Sequence, residues 1–107
     1  MTDTPAFEPT EPQDGMPPGG LERQAEICNQ RGLHARAAAK FVRVVKSFDA
    51  QVSVSHNGMT IGGDSIMGLM VLAATQGSTI TIRASGPQAD AVMDALGALV
   101  ARKFDED

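Results

Sequence analysis

Apolar positions in this chain change their period several times between residues 25 and 103. Ala25-Glu26-Ile27-Cys28-Asn29 alternates weakly and predicts a strand, which Arg31-Gly32 breaks. Ala38, Phe41, Val42, Val45 and Phe48 then recur at helical spacing. They predict a helix from about Ala35 to Ser47 with that stripe on the core, and with Arg36, Lys40, Arg43 and Lys46 largely opposite. Gln51-Val52-Ser53-Val54-Ser55 alternates again as a strand. Asn57-Gly58 signals a hairpin, and Met59-Thr60-Ile61 returns antiparallel until Gly62-Gly63-Asp64 ends it. Ser65 can cap a short helix from Ile66 to about Leu72. After a turn at Gln76-Gly77-Ser78, Thr79–Ala84 is the clearest β-branched strand. Gly86-Pro87 opens a last helix, about Gln88 to Lys103, with Val92, Met93, Leu96, Leu99 and Val100 inward.

The resulting order is β-α-β-β-α-β-α. Mixed elements with one hairpin predict an α+β fold, a mainly antiparallel four-stranded sheet with helices packed on one face. Residues 1–20 hold five of the six prolines, three glycines and few aliphatics, so they predict a disordered acidic tail. Residues 21–107 then form the one folded domain, which is small but sufficient without disulfides. With no Trp or Tyr, the core bulk must come from Phe41, Phe48, the branched aliphatics and the methionines.

Charge sharpens the picture. Residues 1–26 carry a net −5, residues 27–104 a net +4, and Asp105-Glu106-Asp107 a further −3, giving the chain its −4. The acidic balance therefore belongs to the ends, and the middle is basic. Arg31, Arg36, Lys40, Arg43 and Lys46 fall between Glu26 and Asp49 with no acid among them, a field suited to phosphate or an acidic partner. No apolar run is long enough to span a membrane, and no signal peptide is apparent. Cys28 stands alone, which fits a reducing, cytoplasmic setting, and is expected to be a small buried strand residue.

Gly32-Leu33-His34-Ala35-Arg36 is the stretch with chemistry in it. It sets an imidazole at the start of a helix, where free backbone N–H groups and the positive end of the macrodipole attract phosphate. A neutral His beside that end can act as a nucleophile. Arg36 can hold phosphoryl oxygens through paired hydrogen bonds. These parts suggest a phosphohistidine site. No carboxylate partner for His34 is visible nearby in the sequence. His56, beside Asn57-Gly58, is expected to be a solvated turn residue, and no zinc-ligand spacing surrounds it.

Two segments, Gly32-Leu33-His34-Ala35-Arg36 and Gly63-Asp64-Ser65-Ile66-Met67-Gly68-Leu69-Met70, resemble the signature regions of HPr. HPr is the phosphocarrier of the bacterial phosphoenolpyruvate-dependent phosphotransferase system. Element order and spacing agree from about Ala25 to Lys103. The resemblance implies an open-faced β-sandwich with three helices on one face of the sheet. It implies a carrier rather than an enzyme, one that needs no cofactor and no metal. His34 matches the histidine phosphorylated on Nδ1, and Arg36 the arginine that assists transfer. Ser65 matches the serine that an HPr kinase/phosphorylase modifies in some bacteria. Ile66, Met67 and Met70 match the apolar docking patch for enzyme I and EIIA-type acceptors, with Lys40, Arg43 and Lys46 as its basic rim. A monomer that binds neither nucleic acid nor membrane is expected. In sugar-transport members the residue after the motif arginine is usually Pro, whereas here it is Ala37, which keeps its N–H. The run from His34 to Val42 is more similar to the nitrogen-related, regulatory branch.

Sugar-transport HPr is the alternative within the family. Outside it stand a small basic nucleic-acid-binding domain using the helix face, against which the lack of exposed aromatics counts, and a hydrolase with His34 as general base. Ser65 has a sufficient local explanation as an N-cap. The apolar side chains of Ile66–Leu72 are too many for one helix face to bury, so some of them must be exposed.

Overall fold

The computed structural model describes residues 20–106. Its elements are β1 (Leu21–Glu26), α1 (Ala35–Lys46), β2 (Gln51–His56), β3 (Met59–Gly62), α2 (Ile66–Leu72), β4 (Thr79–Ser85) and α3 (Ala89–Ala101), followed by a 3-10-type turn at Lys103–Asp105. The acidic tail expected over residues 1–20 lies outside the described residues, apart from Gly20.

β4 organises the sheet because it alternates most strictly. Ile80, Ile82 and Ala84 are buried on one face, and Thr81 and Arg83 are half-buried on the other. β1 pairs along one edge, with Leu21 opposite Ala84, and β2 along the other, with Val54 opposite Ile82. The strand order is β1-β4-β2-β3 and every pair is antiparallel. The β2–β3 hairpin turns at Asn57-Gly58, whose φ angles of 51° and 80° are those a two-residue turn of this hand requires. α3 lies against β1 and β4, α2 against β3 and β2, and α1 packs on both other helices. Phe41, Leu69, Ile80, Ile82, Val92 and Leu96 are fully buried between these layers. Each such aliphatic or aromatic side chain contributes about 1.5–3 kcal/mol by leaving water.

The expected α+β architecture is the observed one, with three departures. The first strand runs over Leu21–Glu26 rather than 25–29. Pairing with β4 sets its register, and β4 begins at Thr79, opposite Glu26. Ile27 continues with single bonds to the turn: its N–H donates to the Ser78 carbonyl (2.8 Å), and its carbonyl accepts from Gly77 (2.7 Å). Cys28 is therefore outside the strand and only half-buried, its thiol 3.2 Å from the Glu26 carbonyl oxygen. His56, expected in the turn, closes β2 half-buried, with Nδ1 3.2 Å from the Thr79 carbonyl oxygen.

The third departure matters most for function. The last helix ends at Ala101, and Lys103, Phe104 and Asp105 all take positive φ (60°, 54° and 61°). This left-handed backbone is costly for residues with a Cβ and persists only where the surroundings impose it. The anchor is Phe104, fully buried although the sequence placed it at the polar end of the chain. Its burial turns the chain back toward the start of α1. Phe104→Ala should lower stability by about 3–5 kcal/mol, read as a fall in the urea midpoint at unchanged slope. A change below about 1 kcal/mol would mean that the turn is held by something other than this ring.

Candidate functional site

The loop before α1 is shaped by Gly32. Its φ of +65° suits glycine, and a Cβ there would run into the Ala74 carbonyl oxygen. The close approach lets Leu33 bond the same carbonyl (2.9 Å) and bury its side chain, so the next residue is fixed in place. That residue, His34, is the N-cap of α1, in extended conformation. Its Nδ1 accepts from the Arg36 N–H at 3.3 Å, one of the first-turn donors that lack an intrahelical partner.

The other ring nitrogen is occupied too. Nε2 lies 2.5 Å from Oε2 of Glu106, and the two side chains are 23% and 14% exposed. Oε1 of the same carboxylate accepts from the Asn29 amide at 3.0 Å. Asn29 is fully buried and also donates to the Gly32 carbonyl at 2.8 Å. One amide thus ties the loop under His34 to the end of the chain. The turn is latched again by Lys40, whose ammonium donates to the Phe104 carbonyl at 2.8 Å and lies 3.8 Å from Asp105. Arg102 pairs with Asp105 at 2.7 Å.

Beside His34 is an open cavity of about 430 Å³ lined by Gln30, Arg31, Arg36, Lys40, Asp105 and Glu106. The Arg36 guanidinium is exposed and makes no hydrogen bond or ion pair among the described residues, so it is available to an incoming anion. Burial pushes the Glu106 carboxyl up. The hydrogen bonds from Asn29 and His34, and the positive charge of Arg31, outweigh burial and hold it below its ordinary value. Chemically, the arrangement offers an Nδ1 held by one long backbone bond at a helix start, backbone donors around it and a guanidinium at hand.

The second expected cluster is on α2. The Ser65 hydroxyl accepts from the Gly68 N–H at 2.9 Å, so it caps the helix as expected. Leu69 and Leu72 are buried, whereas Ile66, Met67, Met70 and Val71 are 40%, 70%, 40% and 58% exposed. α2 packs on α1, whose outer face presents Arg43 and Lys46 to solvent. Lys40 is held by the chain end instead, so it differs from the other two expected docking cations.

Sequence reasoning missed Glu106 and Asn29. The basic run around α1 holds no acid in sequence, and no carboxylate partner for His34 is apparent near it. In the fold, Asp105 and Glu106 return to that face across more than sixty residues of chain. The available signal was the acidic end placed after a lone Phe104, opposite in charge to the basic run.

Comparison with known proteins gives this geometry a family. The family model described as the PTS HPr component phosphorylation site matches residues 21–102. The phosphocarrier protein HPr of Cupriavidus necator is 48% identical over 86 residues, covering 80% of this chain and 97% of that protein. The phosphocarrier protein NPr of Shewanella violacea is 45% identical over 86 residues, covering 80% and 94%. The crystal structure of HPr from Thermoanaerobacter tengcongensis matches with a TM-score of 0.78 at 37% identity, over 81% of this chain and 98% of that one. The chain belongs to the HPr family, the phosphocarrier proteins of the phosphotransferase system.

The lowered carboxyl has a consequence for acid stability. Because folding favours the Glu106 carboxylate, the unfolded chain takes up the proton first as pH falls. The contribution is full above the ordinary value of 4.5 and is lost as pH drops below it toward the folded value. Glu106→Gln should therefore be less stable than the parent near neutrality, and the gap should narrow below pH 4.5. Thermal melts from neutral to acid pH check this, and a gap that widens toward acid would reverse the sign.

Proposed function

We propose that this chain accepts a phosphoryl group on Nδ1 of His34 from phosphorylated enzyme I and passes it to an EIIA-type protein, in a regulatory, nitrogen-related system. The observation that carries the reading is the orientation of the ring. Nδ1 meets only a long 3.3 Å bond from Arg36 at the helix start, while Nε2 is turned away to Glu106. A phosphoryl group on Nδ1 would displace that weak bond and gain the first-turn N–H groups and the Arg36 guanidinium. The stabilisation stays modest, as a carrier that must release its group requires.

The regulatory branch is supported by Ala37. A proline at this third helical position would remove one first-turn donor, and alanine keeps it. Relatives of similar identity carry both names, HPr and NPr, so the branch reading rests on this residue and on the run after it. Ile66, Met67 and Met70, with Arg43 and Lys46 beside them, would supply an adaptable apolar contact with a basic rim for acidic partners. Ser65 would act as a switch, since a phosphate there adds about two negative charges next to this patch.

Incubation with phosphoenolpyruvate and enzyme I should give an acid-labile phosphate on the parent chain and none on a folded His34→Ala variant. Label persisting on that variant would refute the assignment. Arg36→Ala should keep its melting temperature and slow uptake about tenfold or more, as loss of a charge-stabilising donor does. Offered both acceptor types, the phosphorylated chain should transfer faster to a nitrogen-type EIIA, and a preference for a sugar-type one would move it to the other branch. Ser65→Asp should still cap α2 yet bind enzyme I about ten- to a hundred-fold more weakly, measured calorimetrically. Binding equal to the parent would leave Ser65 as a cap alone.

A further inference from the structure

Glu106 lies beyond residue 102, where the match to the family model ends, yet its carboxylate reaches the candidate acceptor. Independent features deliver it there. Phe104 is fully buried, three successive residues hold left-handed backbone, and Lys40 bonds the Phe104 carbonyl. Asn29, itself fully buried, spends its amide on Gly32 and Glu106 together. Such backbone persists only when its surroundings over-determine it, and it clusters where a side chain must be aimed. The side chain aimed here is a carboxylate, and its target is the nitrogen of His34 that does not face the helix.

We infer that Glu106 is a positioning residue for phosphoryl transfer: it holds the proton on Nε2, so the lone pair of the neutral ring stays on Nδ1. The inference rests on His34 being the acceptor. A neutral imidazole has one proton for two nitrogens, so fixing a donor at one makes the other an acceptor. Carboxylates that hold a histidine by its second nitrogen set tautomer and orientation in hydrolase triads and in metal sites alike. In the transfer step, the Nδ1 lone pair forms the new N–P bond while the donor's bond to phosphorus breaks and its electrons leave with the donor. The Nε2 proton stays in place. The ring thereby becomes formally cationic, and the Glu106 carboxylate stands against that charge. Among the described residues, the other charged groups lining this cavity are Arg31 on the preceding loop, Arg36 and Lys40 on α1, and Asp105 beside Glu106.

Nitrogen NMR of the unphosphorylated full-length chain reads the tautomer without any transfer reaction. The parent should show His34 almost wholly as the Nε2–H form when neutral. Glu106→Ala should show a mixture of both forms, and Glu106→Gln, whose amide oxygen can still accept, should keep the parental form. Uptake of phosphate from enzyme I should fall about tenfold in Glu106→Ala, the usual scale for loss of such an orienting partner, and less in Glu106→Gln. Backbone amide shifts of α1 confirm that each variant is folded. An unchanged tautomer in Glu106→Ala overturns the inference, and so does a changed tautomer with parental uptake. If the parent itself takes no phosphate on His34, the functional reading fails, whereas the tautomer result still decides whether Glu106 sets the ring.

Discussion

An imidazole at the first turn of a helix meets two opposed demands. The helix start needs an acceptor for its orphan N–H groups, and the ring can provide one only from a nitrogen that carries no proton. Here the proton is drawn to the far side of the ring by a carboxylate 2.5 Å from Nε2. The near side is left to accept from Arg36. Histidine is a less common cap than Ser, Thr, Asp or Asn, and those residues would serve the helix equally well or better. None of them carries a nucleophilic nitrogen. The local structure thus gives up some capping strength to hold a reactive group in one orientation.

That contact depends on parts of the chain far apart in sequence. Gly32 lets the loop press against Ala74, and Leu33 anchors it. Asn29 binds the loop carbonyl and the carboxylate with the same amide. Phe104 is fully buried, and the left-handed backbone at Lys103–Asp105 turns the chain back. The sheet and the packed faces of α1 and α3 supply a rigid floor for these pieces. Packing energy collected across the core is in this way spent on the aim of one ring.

Legibility from sequence followed the range of each interaction. The helix over Ala35–Lys46, the hairpin at Asn57-Gly58, the cap at Ser65 and the strand at Thr79 are written in local periodicity and turn chemistry, and they were readable. His34 and Arg36 were readable because a motif and a helix start coincide. Weak alternation puts the first strand at 25–29, late of its real start at Leu21, because its ends are set by its partner β4. Glu106 was invisible for a related reason. Its contact spans 72 positions and relies on a left-handed turn at Lys103–Asp105 that no glycine announces. Periodicity carries the helix to about Lys103, the first residue of that turn, whereas it ends at Ala101 and Phe104 is buried beyond it.

The function turns on which atom of which residue bears the phosphate. Phosphorus–nitrogen correlation NMR on the chain phosphorylated from phosphoenolpyruvate through enzyme I measures this directly. Phosphorus should be bonded to Nδ1 of His34, with a proton still on Nε2. Phosphorus on Nε2, or on any other residue, would contradict this.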